Sequence, residues 1–265
     1  LIGATLLSAQ RPTPFQPDSA MAVLRTLSME IGPRTMGSPA ERRALEYGVE
    51  RFRASGLDEA SIMEITATPA NRSGRVRNTR SGIAVGVLRG TTGRIIVIGG
   101  HIDSASPEVP GTNDDGSGSA VVLELARVLA QREWRSTIVF CLFGGEESGL
   151  VGSRSFVRDF REIDSVDLML QVDMANGVDD LIPFIDQGTT QTPSWLLRAA
   201  YEEMATLGHS GLSYPVHFFT WNIASGSGAS SDHEPFLLKG IPAIDFTTDV
   251  NDPIHTPQDS WEWFR

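Results

Sequence analysis

The chain has 265 residues, 40% hydrophobic and 21% charged, and its 22 Lys and Arg against 33 Asp and Glu leave a formal net charge of −11. A protein of this size and balance folds around a substantial core, so disordered, collagen-like and disulfide-stapled classes are excluded, and the single cysteine, Cys141, leaves no internal disulfide. So acidic a chain repels phosphate backbones and anionic lipid, which argues against a nucleic-acid partner, and no run reaches the roughly 18 apolar residues expected of a membrane-spanning segment.

No repeat or linker divides the chain, and residues 1–265 read as one domain. The opening stretch 1–15 starts apolar (LIGATLLSAQ), and two readings stand side by side. One is the remnant of a signal peptide or anchor, which carries the expectation of an extracytoplasmic location; the other is a segment lying on the domain. Residues 17–31 predict a helix carrying Met21, Leu24, Leu27 and Met29, ended by the turn Gly32-Pro33-Arg34. Ser38-Pro39-Ala40-Glu41 opens a second helix, with Ser38 as N-cap and Pro39 in the first helical position. Strands are predicted at 60–68 and 81–88. The runs 94–99 (RIIVIG) and 137–143 (TIVFCLF) are continuously apolar, as in strands buried on both faces. Between them, 117–131 predicts a helix with Val121, Val122, Leu125, Val128 and Leu129 on its buried stripe. Strands at 168–173 and 181–185, a helix at 193–207 capped by Thr192, a short helix at 232–238 and a buried strand at 241–246 complete the pattern. Such alternation predicts an α/β three-layer sandwich, a mostly parallel central sheet flanked by helices.

Ligands of such sheets sit at the carboxyl ends of the strands, so the residues after each apolar run matter most. His101-Ile102-Asp103 follows the first run, and Asn113-Asp114-Asp115-Gly116-Ser117-Gly118 precedes the next helix. Glu146-Glu147 follows TIVFCLFGG, Asp173 ends LMLQVD, and His255 lies beyond the last strand. Taken singly, each has a bland reading: a solvated histidine, a polar turn with a helix cap, an exposed acidic pair. Placed together, several carboxylates in a partly dry cleft repel one another unless their pKa values rise or cations neutralise them. Imidazole nitrogen with carboxylate oxygen suits Zn²⁺, and five such ligands with one bridging carboxylate suit a pair of ions.

Six motifs carry a resemblance to the M28 family of zinc peptidases, its aminopeptidases in particular: HIDS (101–104), NDDGSG (113–118), GGEESGLVGS (144–153), QVDM (171–174), SDHEPF (231–236) and IHTPQDS (254–260). The resemblance spans about residues 95–260 in the family's order; IGPRTMGSPAERRALEY resembles the family's opening helices only in pattern. It implies a zinc-exopeptidase-like fold, two Zn²⁺ per chain and a peptide substrate. His101 and Asp173 would hold one zinc, Glu147 and His255 the other, and Asp114 would bridge them. Glu146 would be the general base, acting on a metal-activated water. Asp103 would accept the free ring N–H of His101, and the Asp114–Asp115 peptide would be cis. Asp115 reads as the cap of the following helix.

One departure is visible. Many relatives carry a tyrosine in the cleft as oxyanion donor, but here Ile254 adjoins His255, and Tyr47, Tyr201 and Tyr214 lie outside the motifs. Ser230, Ser231 or a backbone N–H would have to serve. Ser231 and Asp232, within the stretch 225–232 (SGSGASSD), are expected to bind substrate, and His233 to be satisfied at a helix start. Two alternatives remain: a single-zinc aminoacyltransferase resembling glutaminyl cyclase, and a receptor-like domain without catalysis. The family continues past the equivalent of Arg265, so a longer native chain is expected.

Overall fold

The computed structural model describes residues 13–67, 79–175, 192–206, 231–247 and 253–264. In chain order the elements are α1 (Pro17–Arg25), α2 (Pro39–Ala54), β1 (Glu59–Ala67), β2 (Thr79–Leu88), β3 (Ile95–His101), α3 (Gly118–Leu129), β4 (Thr137–Phe143), α4 (Val151–Asp159), β5 (Val166–Val172), α5 (Ser194–Thr206), α6 (Glu234–Lys239), β6 (Ala243–Phe246) and α7 (Trp261–Phe264). The predicted strand at 181–185 lies outside the described residues.

The sheet runs β1-β2-β4-β3-β5-β6. β1 pairs antiparallel with β2, and β2 antiparallel with β4. The β4–β3, β3–β5 and β5–β6 pairs are parallel, as helical crossovers require. The result is a mixed, mostly parallel sheet.

The apolar run of β4 explains the three layers. All seven of its residues are buried, and alternate side chains point to opposite faces. Ile138, Phe140 and Leu142 join Leu24 of α1, Leu45 and Phe52 of α2, and Val122 and Leu123 of α3. Val139, Cys141 and Phe143 meet Phe156 of α4 and Phe236 of α6, the Phe143 ring standing edge-on to Phe156 at 5.9 Å. A third, small cluster joins Leu196 of α5 to Ile244 of β6.

Local details differ from the expectations in instructive ways. The first helix continues to Ile31, but from Thr26 it widens into a π-helical turn. On α3 the buried apolar face includes Val122, Leu123 and Ala126, whereas Val121, Leu125, Val128 and Leu129 of the expected stripe are only partly covered. α4 has no counterpart in the sequence reading. Its inward face is Gly152, Ser153, Ser155 and Phe156, nearly devoid of apolar period. Small residues are required there: a Cβ on Gly152 would lie 2.5 Å from the Gly144 carbonyl.

Ser38 caps α2 as expected, its hydroxyl accepting from Glu41 N–H at 3.0 Å. Glu41 does not return the bond to Ser38. Its carboxylate accepts from Gly37 N–H and from the Ser81 hydroxyl, both at 2.6 Å. Burial pushes this carboxyl up to about 8.

Candidate metal centre

The carboxyl ends of β3, β4 and β5 meet at one edge of the sheet. His101 is the last residue of β3, Glu146 and Glu147 follow β4 after two glycines, and Asp173 follows β5. Asp114 comes from the irregular turn Thr112–Ser117 that opens α3, and His255 from the loop before α7.

Asp114 is the centre of the cluster. One carboxylate oxygen, Oδ1, lies 3.0 Å from His101 Nε2, and the other, Oδ2, lies 3.0 Å from His255 Nε2. Asp173 Oδ1 stands 3.7 Å from His101 Nε2, and Glu147 Oε2 stands 3.2 Å from His255 Nε2. Two triads result, His101–Asp114–Asp173 and Asp114–Glu147–His255, each with ligand atoms mutually within 4.8 Å. Glu146 joins a third group with His101 and Glu147 at the same spacing. Asp173 Oδ1 and Glu147 Oε1 are buried and have no hydrogen-bond donor among the described residues. Buried lone pairs of this kind are costly unless a cation faces them, and two imidazoles with three carboxylates match the donors zinc prefers.

The charges respond to this crowding. Burial opposes the Asp114 charge, but the bonds to His101 and His255 outweigh it and hold the carboxyl well below its usual range. Those to Asp114 and Glu147 raise His255 to about 10. For His101, burial is outweighed by Asp173, Asp103 and Asp114, and the imidazole rises. Burial pushes Glu147 up to about 7 and Glu146 well above the carboxylate range. The cluster therefore holds protons where divalent ions would otherwise supply positive charge.

Backbone bonds from distant residues place these side chains. Asp115, fully buried, accepts from Gly118 N–H (2.8 Å), His101 N–H (2.9 Å) and Met174 N–H (3.0 Å). It caps α3 as expected and also fastens the ends of β3 and β5. Room for it depends on Gly118, whose added Cβ would lie 2.3 Å from Asp115 Oδ1. The Asp114–Asp115 peptide is cis.

Asp103 sits differently from its expected place. The nearer acceptor for His101 Nδ1 is the Asp103 backbone carbonyl at 3.2 Å, with the carboxylate at 3.6 Å. The carboxylate instead accepts from Glu146 N–H at 3.0 Å, and the Glu146 carbonyl accepts from Gly149 and Leu150 N–H, both at 2.8 Å. Ser231 donates to Asp173 Oδ2 at 2.7 Å and accepts from Gln171 Nε2 at 3.2 Å. Asp232 is fully buried, and burial raises it to about 7. His233 precedes α6 as expected, but its Nδ1 has no partner among the described residues, and burial lowers it to about 4. Tyr47, half-buried, packs against the core, whereas Tyr214, Ser230, the stretch 225–230 and the side chain of Tyr201 lie outside the described residues.

Among the described residues, three that are not glycine adopt left-handed backbone: Leu150 (φ 58°), Met174 (φ 60°) and His255 (φ 57°). All three lie at or beside the cluster, where such conformations are typically sustained by function. Two contributors escaped the sequence reading. Asp259 accepts from the backbone of the Asp114 turn, and Arg34 grips the same turn from the other side. Asp259 is visible in sequence only as the single acid of IHTPQDS, and Arg34 only as the end of a turn.

Residues 84–264 match the model of peptidase family M28. The chain belongs to that family. Among relatives, aminopeptidase YwaD of Bacillus subtilis is 32% identical over 177 residues, covering 63% of this chain and 36% of YwaD. The chain spans between 29 and 50% of the length of the curated relatives it matches. The zinc aminopeptidase BSAP of Bacillus subtilis shares the fold with a TM-score of 0.78 at 19% identity, over 95% of this chain and 91% of the other. A glutaminyl cyclase of Porphyromonas gingivalis superposes with a TM-score of 0.74 at 23% identity, over 95% and 92%. As an M28 member the protein is of metallopeptidase lineage, with candidate His, Asp and Glu sites for metal.

Proposed function

We propose that this chain is a two-zinc aminopeptidase that releases N-terminal residues from peptides. The observation that carries the reading is Asp114, whose two oxygens each face a different imidazole at 3.0 Å. In this reading His101, Asp114 and Asp173 would hold one ion, and Asp114, Glu147 and His255 would hold the other. Zinc bound there would supply Lewis acidity, polarising the scissile carbonyl and acidifying water.

Glu146 takes the proton of the attacking water and delivers it to the leaving amine. Burial lifts its affinity for a proton, as suits a group that takes one from water. Asp103 acts on Glu146 through its backbone, as a positioning residue. Ser231 orients Asp173, and Asp232 lies buried behind the cluster. This placement favours a supporting role for both over the substrate contact expected from sequence.

An acid-rich site suits the ammonium of a free N-terminus. A carboxypeptidase needs a cation for the opposite terminus, and Arg34, fully buried, already donates to five backbone carbonyls. The test is release of chromophore from aminoacyl substrates with and without chelator, followed by zinc re-addition. Glu146→Gln should lower kcat by at least ~10²-fold while retaining zinc. Equal cleavage of N-acetylated substrates would refute aminopeptidase action. One zinc per chain with cyclisation of N-terminal glutamine would favour the cyclase reading instead.

A further inference from the structure

The turn that delivers Asp114 lies between two buried, opposite charges that do not bond to each other. On one side is Arg34. Its Nε donates to the Ile102 carbonyl at 2.8 Å, and its Nη1 to those of Pro110 (2.8 Å), Gly32 (3.1 Å) and Leu27 (3.2 Å). Its Nη2 donates to Gly111 at 2.7 Å. On the other side is Asp259, fully buried, which accepts from Asn113 N–H at 2.6 Å and from Asp114 N–H at 3.1 Å.

Within this turn the carbonyls of Pro110 and Gly111 thus point at the cation and the amides of Asn113 and Asp114 at the anion. Successive peptide groups of one turn are thus gripped by opposite charges, the first two through their carbonyls and the next two through their amides, and hydrogen bonds to charged groups are strong in a dry interior. Burial lowers Arg34 only to about 10, so the guanidinium keeps its charge at neutral pH; burial raises the Asp259 carboxyl, and the bonds from Asn113 and Asp114 N–H oppose that rise. The two residues also join segments far apart in the chain. Arg34 holds the end of β3 beside His101, and Asp259 follows His255 in the same loop.

We propose that Arg34 and Asp259 clamp the intervening turn, one through its carbonyls and the other through its amides, positioning Asp114 between His101 and His255 and thereby setting the affinity of the site for metal. The inference rests on the metal-centre reading and adds to it two residues that touch neither metal nor substrate.

Zinc affinity of the full chain, measured by competition with a chromogenic chelator, tests it. Asp259→Asn keeps one acceptor and turns an amide N–H toward a backbone N–H, so zinc should bind about 10–100-fold more weakly. Arg34→Lys keeps the charge but offers three donors to five carbonyls, and its affinity should fall between wild type and Asp259→Asn. Phe52→Leu, in the core beneath α2, is the control for general destabilisation: it should lower the unfolding midpoint of the metal-free protein without weakening zinc. Wild-type zinc affinity in both Asp259→Asn and Arg34→Lys would overturn the proposal. A fall in affinity as large in Phe52→Leu would do the same, by reducing the effect to lost stability. Wild-type protein that binds no zinc would instead overturn the metal-centre reading itself.

Discussion

Asp115 offers the sharpest quantitative test of how this site is built, because one side chain serves three backbone groups from three segments. Asp115→Ala leaves the N–H groups of His101, Gly118 and Met174 buried without their acceptor. Each unpaired donor costs about 1–3 kcal/mol, so the loss is roughly 3–9 kcal/mol, comparable with the ~5–15 kcal/mol that stabilises a whole domain. Asp115→Asn differs in kind. Its remaining carbonyl oxygen still serves Gly118 and Met174, while its amide faces the His101 N–H and loses that bond. Against this stands the charge: burial, then Asp173, pushes the Asp115 carboxyl well above its usual range, so ionisation here is unfavourable and the amide removes it. The two terms oppose each other, and the net cost should be only about 0–2 kcal/mol. Guanidinium unfolding of the metal-free protein at pH 7 measures both variants. An alanine variant within about 1 kcal/mol of wild type would refute the reasoning, since the three N–H groups would then have found other acceptors. So would an asparagine variant less stable than the alanine one.

Glu41 predicts a pH dependence from a carboxyl that is not among the candidate metal ligands. Its folded-state value of about 8 lies above the ordinary 4.5, so the fold favours the neutral acid. The contribution is complete below pH 4.5 and is lost as pH rises through 8, on the order of 5 kcal/mol in all. Glu41→Gln, whose amide can donate to Ser81 and accept from Gly37, should flatten this slope; a stability difference from wild type that stays constant between pH 5 and 9 would contradict it. Ser231→Ala removes the donor to Asp173 Oδ2 and should weaken zinc binding about tenfold in a chelator competition. Gly118→Ala drives a Cβ to within 2.3 Å of both Asp115 Oδ1 and the Val172 carbonyl, so soluble, zinc-binding protein should not be recovered; a zinc-loaded crystal of that variant with unmoved backbone would show the contact to be tolerated.

Much of this architecture was legible in local pattern. The run TIVFCLF had to be a strand buried on both faces, and β4 is one, with its odd and even residues in different clusters. Ser38 announced a helix start, and Ser38 caps α2. Helix α4 was not legible, because a helix that packs closely on a sheet buries glycine and serine and shows no apolar stripe. The Asp103 contact was legible only in part: proximity to His101 was evident two residues away, whereas its carboxylate serves Glu146, 43 residues on.

By itself the chain determined which donors stand at the mouth of the sheet, since a buried strand and the residue that follows it are properties of a few consecutive side chains. Strand order decided the rest. It set each oxygen of Asp114 against a different imidazole, brought Ser231 to Asp173, and closed Arg34 and Asp259 around one turn. Asp259 reaches the Asp114 amide across 145 residues, and such a contact exists only once every intervening element has packed.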